Sequence, residues 1–373
     1  MIEAIVVSLF AVFLAYCSRF DSGEKWLKMS ILVLTVFLSL GYNWGNDVAW
    51  YESSFLAAKD YSGALFDFSG GGSIVEKGEI GWIVLNRLCQ PIGFWGMRIL
   101  LFCFEGFVIY RLIKHYVSRD YYWMAVFFFS FNNTLMVLGS SMMRQYLAMC
   151  ITALALDILI QSISRRNNKI NIVFSILFYV GLVLFASLFH RSALFVLPAC
   201  LLVFFRFDFS RRSVLMILLV AVIWFTFGYT LLLSAMLGLM SDLFDVYSDY
   251  GSIRGSIGVG VAFYVLLYVF IFSQFNKFST EQKIVCSYAS VSILMLPFVT
   301  VYEYITRVVL YFSVFSIVAY PVFFKSVSKN VLRLLIIPLM LIVLYSYWGF
   351  FHDKVWHDAY YYYTTIFSVG GWR

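Results

Sequence analysis

Arg98, Arg144, Arg191, Arg254 and Arg307 each stand at the end of a long apolar run or in the loop beside one. A guanidinium presents a planar fork that grips phosphate or carboxylate at two points, and it keeps its charge in a dry site. A charge held beside an apolar segment is costly, which is a reason to look for its use. Taken singly, each arginine reads equally well as a snorkelling side chain or as the partner of a nearby acid. Taken together, the five favour an anionic ligand. His190 opens His190-Arg191-Ser192-Ala193-Leu194 directly after an apolar run. There it either shuttles a proton near neutral pH or is satisfied by backbone carbonyls.

Two carboxylates sit at comparable edges: Asp47 in Gly45-Asn46-Asp47-Val48-Ala49-Trp50-Tyr51, and Glu79 in Glu79-Ile80-Gly81. Either could deprotonate or orient a sugar hydroxyl. Helix N-capping by Asp47 and a favourable first-turn charge at Glu79 are the non-functional alternatives. Glu105 and Asp157 fall inside apolar runs and need polar partners there. His352 and His357, beside Asp353 and Asp358, match no firm metal spacing and read as a solvated tail. His115 is expected at the membrane surface on the opposite side. No acidic D-x-D pair is present to hold a divalent ion, so neither a metal nor another cofactor is expected. Gly70-Gly71-Gly72 lacks a following G-K-[ST] and reads as a turn.

The elements that must position these residues are membrane helices. Of 373 residues, 62% are hydrophobic and 13% charged, against about 25% charged in soluble domains. Mean hydropathy is +0.86. A soluble fold has no way to hide so much apolar surface. The net charge of +7 does not indicate nucleic acid, because the basic residues fall in short loops and form no recognition motif. The six cysteines are scattered without a C-x-x-C and read as packing residues.

Apolar runs occur at about 2–17, 29–42, 95–113, 120–138, 144–163, 171–189, 192–206, 213–236, 258–275, 283–300, 307–324 and 331–350. The expected fold is therefore all-α, a polytopic membrane protein of about twelve spanning helices in one domain over 1–373. The first run follows Met1-Ile2-Glu3, which is not basic, so it reads as a membrane helix and not as a cleaved signal. The run 80–92 is short, carries Arg87 and ends at Pro91, so it reads as an interfacial or re-entrant helix. Basic residues collect in alternate loops, such as Arg19–Lys28, Arg165–Lys169 and Lys325–Arg333. By the positive-inside rule those loops are cytoplasmic. The other side then holds both termini, two long loops at 43–94 and 237–257, and most of the acids.

With these motifs in this order, the chain resembles the EpsG/Wzy-type polysaccharide polymerases of bacteria. The resemblance rests on G-x-D-x-x-x-Y at Gly45, Asp47 and Tyr51, and on E-x-G at Glu79 and Gly81. It continues through Met143-Arg144-Gln145-Tyr146-Leu147-Ala148, the stretch from His190 to Pro198, and Tyr304-x-x-Arg307. One departure is that Gly41-Tyr42-Asn43-Trp44 lacks the arginine that family members often carry before G-x-D.

The resemblance implies an inner-membrane enzyme with a periplasmic site. It would join undecaprenyl-diphosphate-linked repeat units into O-antigen or capsule, without a nucleotide sugar and in company with a chain-length regulator. Arg144 and Arg191, helped by Arg307 and Arg254, would hold the donor diphosphate, with Gln145, Tyr51 and Tyr304 also binding substrate. Asp47, Glu79 or His190 would serve the acceptor hydroxyl, and sequence does not choose among them. An O-antigen ligase would share this outer face. A transporter or flippase would instead place its ionisable groups near the midplane, often with repeats, and no repeat is visible.

Overall fold

The computed structural model describes residues 1–20, 23–42, 44–60, 79–165, 169–204, 216, 219–220, 259–299 and 304–368. The first half consists of α1 (Ile2–Cys17), α2 (Lys25–Leu40), strand β1 (Gly41–Tyr42), α3 (Val48–Asp60), α4 (Ile80–Leu88), α5 (Gly93–Tyr116), α6 (Tyr122–Ser130) and α7 (Met143–Arg165). Then come α8 (Lys169–Ser187), a 3-10 helix over Arg191–Phe204, α9 (Val259–Ser273), α10 (Thr280–Leu294), α11 (Leu296–Val299), α12 (Ile305–Ser313) and α13 (Ser316–Ser326). The described chain closes with α14 (Lys329–His352), α15 (His357–Tyr360) and strand β2 (Thr364–Thr365).

The helices are dressed for lipid. Helix α1 buries Ala4, Ser8, Ala11 and Ala15, while Leu9 is 55% and Phe13 59% exposed. Helix α8 likewise turns Phe174 and Leu177 outward and keeps Tyr179, Val183 and Ala186 inside. In water this arrangement would forfeit the hydrophobic effect on each large side chain. In a bilayer the outer face needs no burial, and small residues inside let backbones approach. Interhelical hydrogen bonds use that closeness: Ser30 Oγ donates to the Ala11 carbonyl at 2.7 Å, and Ser8 Oγ to the Ser130 carbonyl at 3.2 Å. The protein is a membrane protein.

Among the described residues, three helices are long and apolar enough to span: Gln90–Tyr116, Met143–Ser164 and Leu334–His352. The number rises to five if each of two bent pairs is one span. This is fewer than the twelve apolar runs of the sequence. Hydropathy registers a run whether or not it folds as one long helix, and several runs fold as shorter helices, among them Ile2–Cys17 and Asn171–Ser187. The run at 213–236 lies mostly outside the described residues, as does the loop at 237–257. The run at 120–138 bends by 69° between Arg119–Ser130 and Asn133–Ser140. Asn132 causes the break, because its side-chain oxygen accepts from the Thr134 and Leu135 amides at 3.0 and 2.9 Å and replaces helical acceptors. The second bend, 45° between α12 and α13, lies where Ser313 and Ser316 hydroxyls bond back to the carbonyls of Leu310 and Ser313.

The short helix expected at 80–92 forms as α4, and the loop before it contains a further helix, α3, that hydropathy does not register. Asp157 has partners that the sequence leaves unnamed. Its buried carboxylate is bonded by Arg111 Nε at 2.5 Å, Tyr116 OH at 2.7 Å, His115 Nδ1 at 3.1 Å and Gln161 Nε2 at 2.9 Å. His115 is thus turned inward and does not simply rest at a membrane surface. All six cysteines are unpaired. The tail after 350 is exposed at His352, Asp353 and Asp358, as expected, but the residues that follow form a clasp. Strand β2 pairs antiparallel with β1, Gly41 opposite Thr365 and Tyr42 opposite Thr364. Tyr363 stacks on Phe37 at 4.2 Å and donates to its carbonyl.

Candidate functional site

Arg144 occupies the first turn of α7, just past the bent segment, so its side chain leaves the helix at its N-terminal end. Its Nη1 meets Glu79 Oε2 at 2.5 Å and its Nε meets the Tyr51 hydroxyl at 3.5 Å. The guanidinium also lies over the rings of Trp50 and Tyr51, at 5.2 and 5.8 Å. Glu79 is the residue before α4, and its carboxylate makes no capping bond. Buried to 2% side-chain exposure, it spends one oxygen on Arg144 and accepts the Arg191 amide with the other at 3.2 Å. Gly81 makes this approach possible. Its amide donates to the Leu188 carbonyl at 2.9 Å, and an added Cβ would lie 2.9 Å from the Leu188 Cβ.

Beside this cluster opens a cleft of about 410 Å³. Asn46 and Asp47 line it from the loop before α3, Thr134 and Leu138 from the bent segment, and Met142 from the residues just before α7. Gln145 enters from α7, Tyr304 and Arg307 from the start of α12, and Trp356 from the segment after α14. Gln145 Nε2 donates to the Arg307 carbonyl at 2.9 Å, tying the two helix starts together. Arg307 lies over the Tyr304 ring at 5.3 Å.

Asp47 is the electrostatic centre. Burial pushes its carboxyl above the usual range, and the positive fields of Arg144 and Arg307 oppose that rise. One carboxylate thus feels two guanidinium groups from separate helices. Asn46 Nδ2 donates to Asp47 Oδ1 at 3.1 Å, and Asn46 Oδ1 accepts from Tyr360 OH at 2.9 Å and Ser141 Oγ at 3.0 Å. Gly45 supports this turn with a φ of 132°, a region that favours glycine. Its amide donates to the Ala359 carbonyl at 3.0 Å, and an added Cβ would run into Ser141.

Among the described residues, His190, Arg191 and Arg98 do not line the cleft. His190 is buried, with Nδ1 2.6 Å from Ser192 Oγ, which in turn meets Tyr311 OH at 3.1 Å. Arg191 engages Glu79 through its backbone while its side chain is exposed. Arg98 is fully buried, donates to the Leu38 and Ser140 carbonyls at 3.2 and 3.5 Å, and lies near the rings of Trp95 and Phe102. Arg254 lies outside the described residues. Sequence reasoning missed Asn46, Thr134, Trp356 and Tyr360. For the last two a signal existed: Trp356 to Tyr363 holds five aromatic rings in eight residues, a density unsuited to a solvated tail.

The arrangement suits a reaction in which negative charge develops beside Arg144 and Arg307 while a neutral hydroxyl is held near Asp47. No curated relative and no solved structure matches the chain. The EpsG family model matches residues 25–365. That span takes in every residue of the Arg144–Glu79 cluster and of the cleft, and the chain belongs to the EpsG family, a Wzy-type, polymerase-like family.

Proposed function

We propose that this protein joins undecaprenyl-diphosphate-linked oligosaccharide repeat units into a surface polysaccharide at the non-cytoplasmic face of the bacterial inner membrane. The family supports a polymerase-like role, and the observation that carries the chemistry is that Asp47 and Arg307 line one cleft, with Gln145 tying the start of the Arg144 helix to Arg307. The acceptor hydroxyl oxygen attacks the anomeric carbon of the donor glycan. The bond from that carbon to the diphosphate oxygen breaks, and the electron pair leaves with the diphosphate. Arg144 and Arg307 neutralise the departing charge. Asp47 takes the hydroxyl proton. Of the three candidate bases it is the one lining the cleft. Glu79 is committed to Arg144 and the Arg191 amide, and His190 to Ser192.

Orientation follows from charge. Asp157 lies thirteen residues after Arg144 on α7, about 20 Å along the axis. At that far level Arg111 binds Asp157, and Lys114 pairs with Glu24 at 2.9 Å. A basic end faces the cytoplasm, which supports an outward-facing cleft.

The test is a deletion strain carrying Asp47→Asn or Arg307→Ala on a plasmid, with surface glycan resolved on a gel. The expected result is inserted protein and a single repeat unit on its carrier in place of a ladder. A normal ladder from both variants overturns the assignment. Loss of even the single attached unit would point to ligation instead.

A further inference from the structure

We propose that Trp356 is the platform for the acceptor sugar, a pyranose ring laid against the indole so that one of its hydroxyls reaches Asp47. The inference rests on the polymerase reading and adds a residue and a ligand class to it. Trp356 lines the same cleft as Asp47, and it comes from a segment that the motifs do not include. The indole is held from behind: it stacks parallel on Phe350, 5.6 Å between centroids and 15° between planes. Its backbone amide donates to the Asp353 carbonyl at 3.1 Å.

The clasp then fixes the indole relative to the carboxylate. Gly45 donates to the Ala359 carbonyl at 3.0 Å, Trp44 Nε1 to the Tyr360 carbonyl at 2.8 Å, and Tyr360 OH to Asn46 at 2.9 Å. Tyr360 is the fourth residue after Trp356, and Asn46 adjoins Asp47. The aromatic surface and the carboxylate are therefore parts of one hydrogen-bonded unit, whereas Arg144 and Arg307 arrive on α7 and α12. A neutral hydroxyl-bearing acceptor belongs on the first unit and a charged donor on the second.

The chemistry of the cleft fits a sugar. A pyranose has an apolar C–H face and a rim of hydroxyls, and it needs a flat ring for one and donors and acceptors for the other. Trp356 supplies the ring. Asn46, Asp47, Thr134 and Thr306 supply the polar rim. About 410 Å³ of space lies within the usual 300–1,000 Å³ of small-molecule sites.

The experiment uses the full chain in detergent, with the donor prepared as an undecaprenyl-diphosphate-linked repeat unit and the acceptor as the lipid-free repeat-unit oligosaccharide, so that the two concentrations vary independently. Binding of the lipid-free repeat-unit oligosaccharide is measured separately by calorimetry. Trp356→Ala should raise the acceptor KM and weaken oligosaccharide binding about tenfold, the size expected for loss of an aromatic contact. The donor KM and kcat should change less than about threefold, and Trp356→Phe should recover most of the loss. Wild-type acceptor KM in Trp356→Ala, or equal shifts in both KM values, overturns the platform. A melting temperature equal to that of wild type in Trp356→Phe guards against misfolding. If wild-type protein binds the oligosaccharide in a Trp356-dependent way but transfers nothing, the polymerase reading falls and the platform stands. If wild-type protein transfers but Trp356→Ala matches it, the reverse holds. If wild-type protein neither binds nor transfers, both fall.

Discussion

Arg144 Nη1 and Glu79 Oε2 meet at 2.5 Å, with side-chain exposures of 17% and 2%. The pair joins the start of α7 to the start of α4, and the second Glu79 oxygen extends the link to the Arg191 amide. Glu79 therefore aims the guanidinium. Glu79→Gln keeps the shape and removes the charge that pairs with this largely buried guanidinium. Breaking a fully buried pair costs about 3–5 kcal/mol, and the water still reaching Arg144 brings the expected loss to about 2–3 kcal/mol. A lowered melting temperature in detergent, together with a shortened glycan ladder, is the expected outcome. Arg144→Lys should fail as well, since a lysine cannot meet Glu79 and Tyr51 from separate nitrogens. Full ladders from the lysine variant would reduce the requirement to bare charge.

Asp47 predicts a pH dependence with a definite sign. Burial raises its pKa, and Arg144 and Arg307 hold it back. The proton-accepting form is lost as pH falls through that raised value. The acid limb of kcat/KM should therefore lie above the ordinary carboxylate range. Arg307→Gln removes one restraining field, so the limb should move to still higher pH. Asp47→Asn should abolish the limb and lower kcat by about 10²–10⁴, the usual range for a general base. A limb that stays in place in Arg307→Gln would show that the two residues are uncoupled.

Much of this site was legible in the sequence because edges of apolar runs are cheap to read. Asp47, Glu79, Arg144, Gln145 and Arg307 all stand at such edges, and the structure gathers them. What sequence left open was direction. Arg98 and Arg144 look alike in the chain, yet one is sealed against the Leu38 and Ser140 carbonyls and the other faces Glu79. Whether an arginine faces a core or a cleft depends on the rotation of its helix, which a lipid-bathed helix does not reveal through alternating polarity. Among the described residues the long helices are fewer than the apolar runs for a related reason. A run interrupted by one Asn132 keeps its hydropathy while its axis turns by 69°. The clasp was missed because it is tertiary throughout: Thr365 pairs with Gly41 across most of the chain.

Gly45 offers a test of the turn itself. At φ 132° a side chain strains the backbone by about 1–3 kcal/mol, and an added methyl would also displace Ser141, which holds Asn46. Gly45→Ala should lower the melting temperature and cut activity further than the melting loss alone explains. Gly181 is the control, because an added Cβ there meets nothing within 4 Å. Equal behaviour of the Gly45→Ala and Gly181→Ala proteins would remove the turn from the argument.

Tyr360 carries the last prediction, because its hydroxyl is where the clasp touches the loop bearing Asp47. That hydroxyl lies 2.5 Å from Ser141 Oγ and 2.9 Å from Asn46 Oδ1. Its ring is packed edge-on against Trp44 and near Phe350. Tyr360→Phe keeps the ring and deletes the hydroxyl, leaving two neighbours short of a partner. The stability loss should be about 1–2 kcal/mol. If Tyr360 acts through Asn46 on Asp47, kcat should drop while both KM values hold, because neither sugar nor diphosphate touches the buried hydroxyl. Asn46→Ala should show the same kcat loss and, because Asn46 also lines the cleft, a raised acceptor KM, and the double variant should lose little more kcat than Asn46→Ala alone. Fully additive losses would mean that the tyrosine and the asparagine contribute separately, and that the clasp only covers the loop.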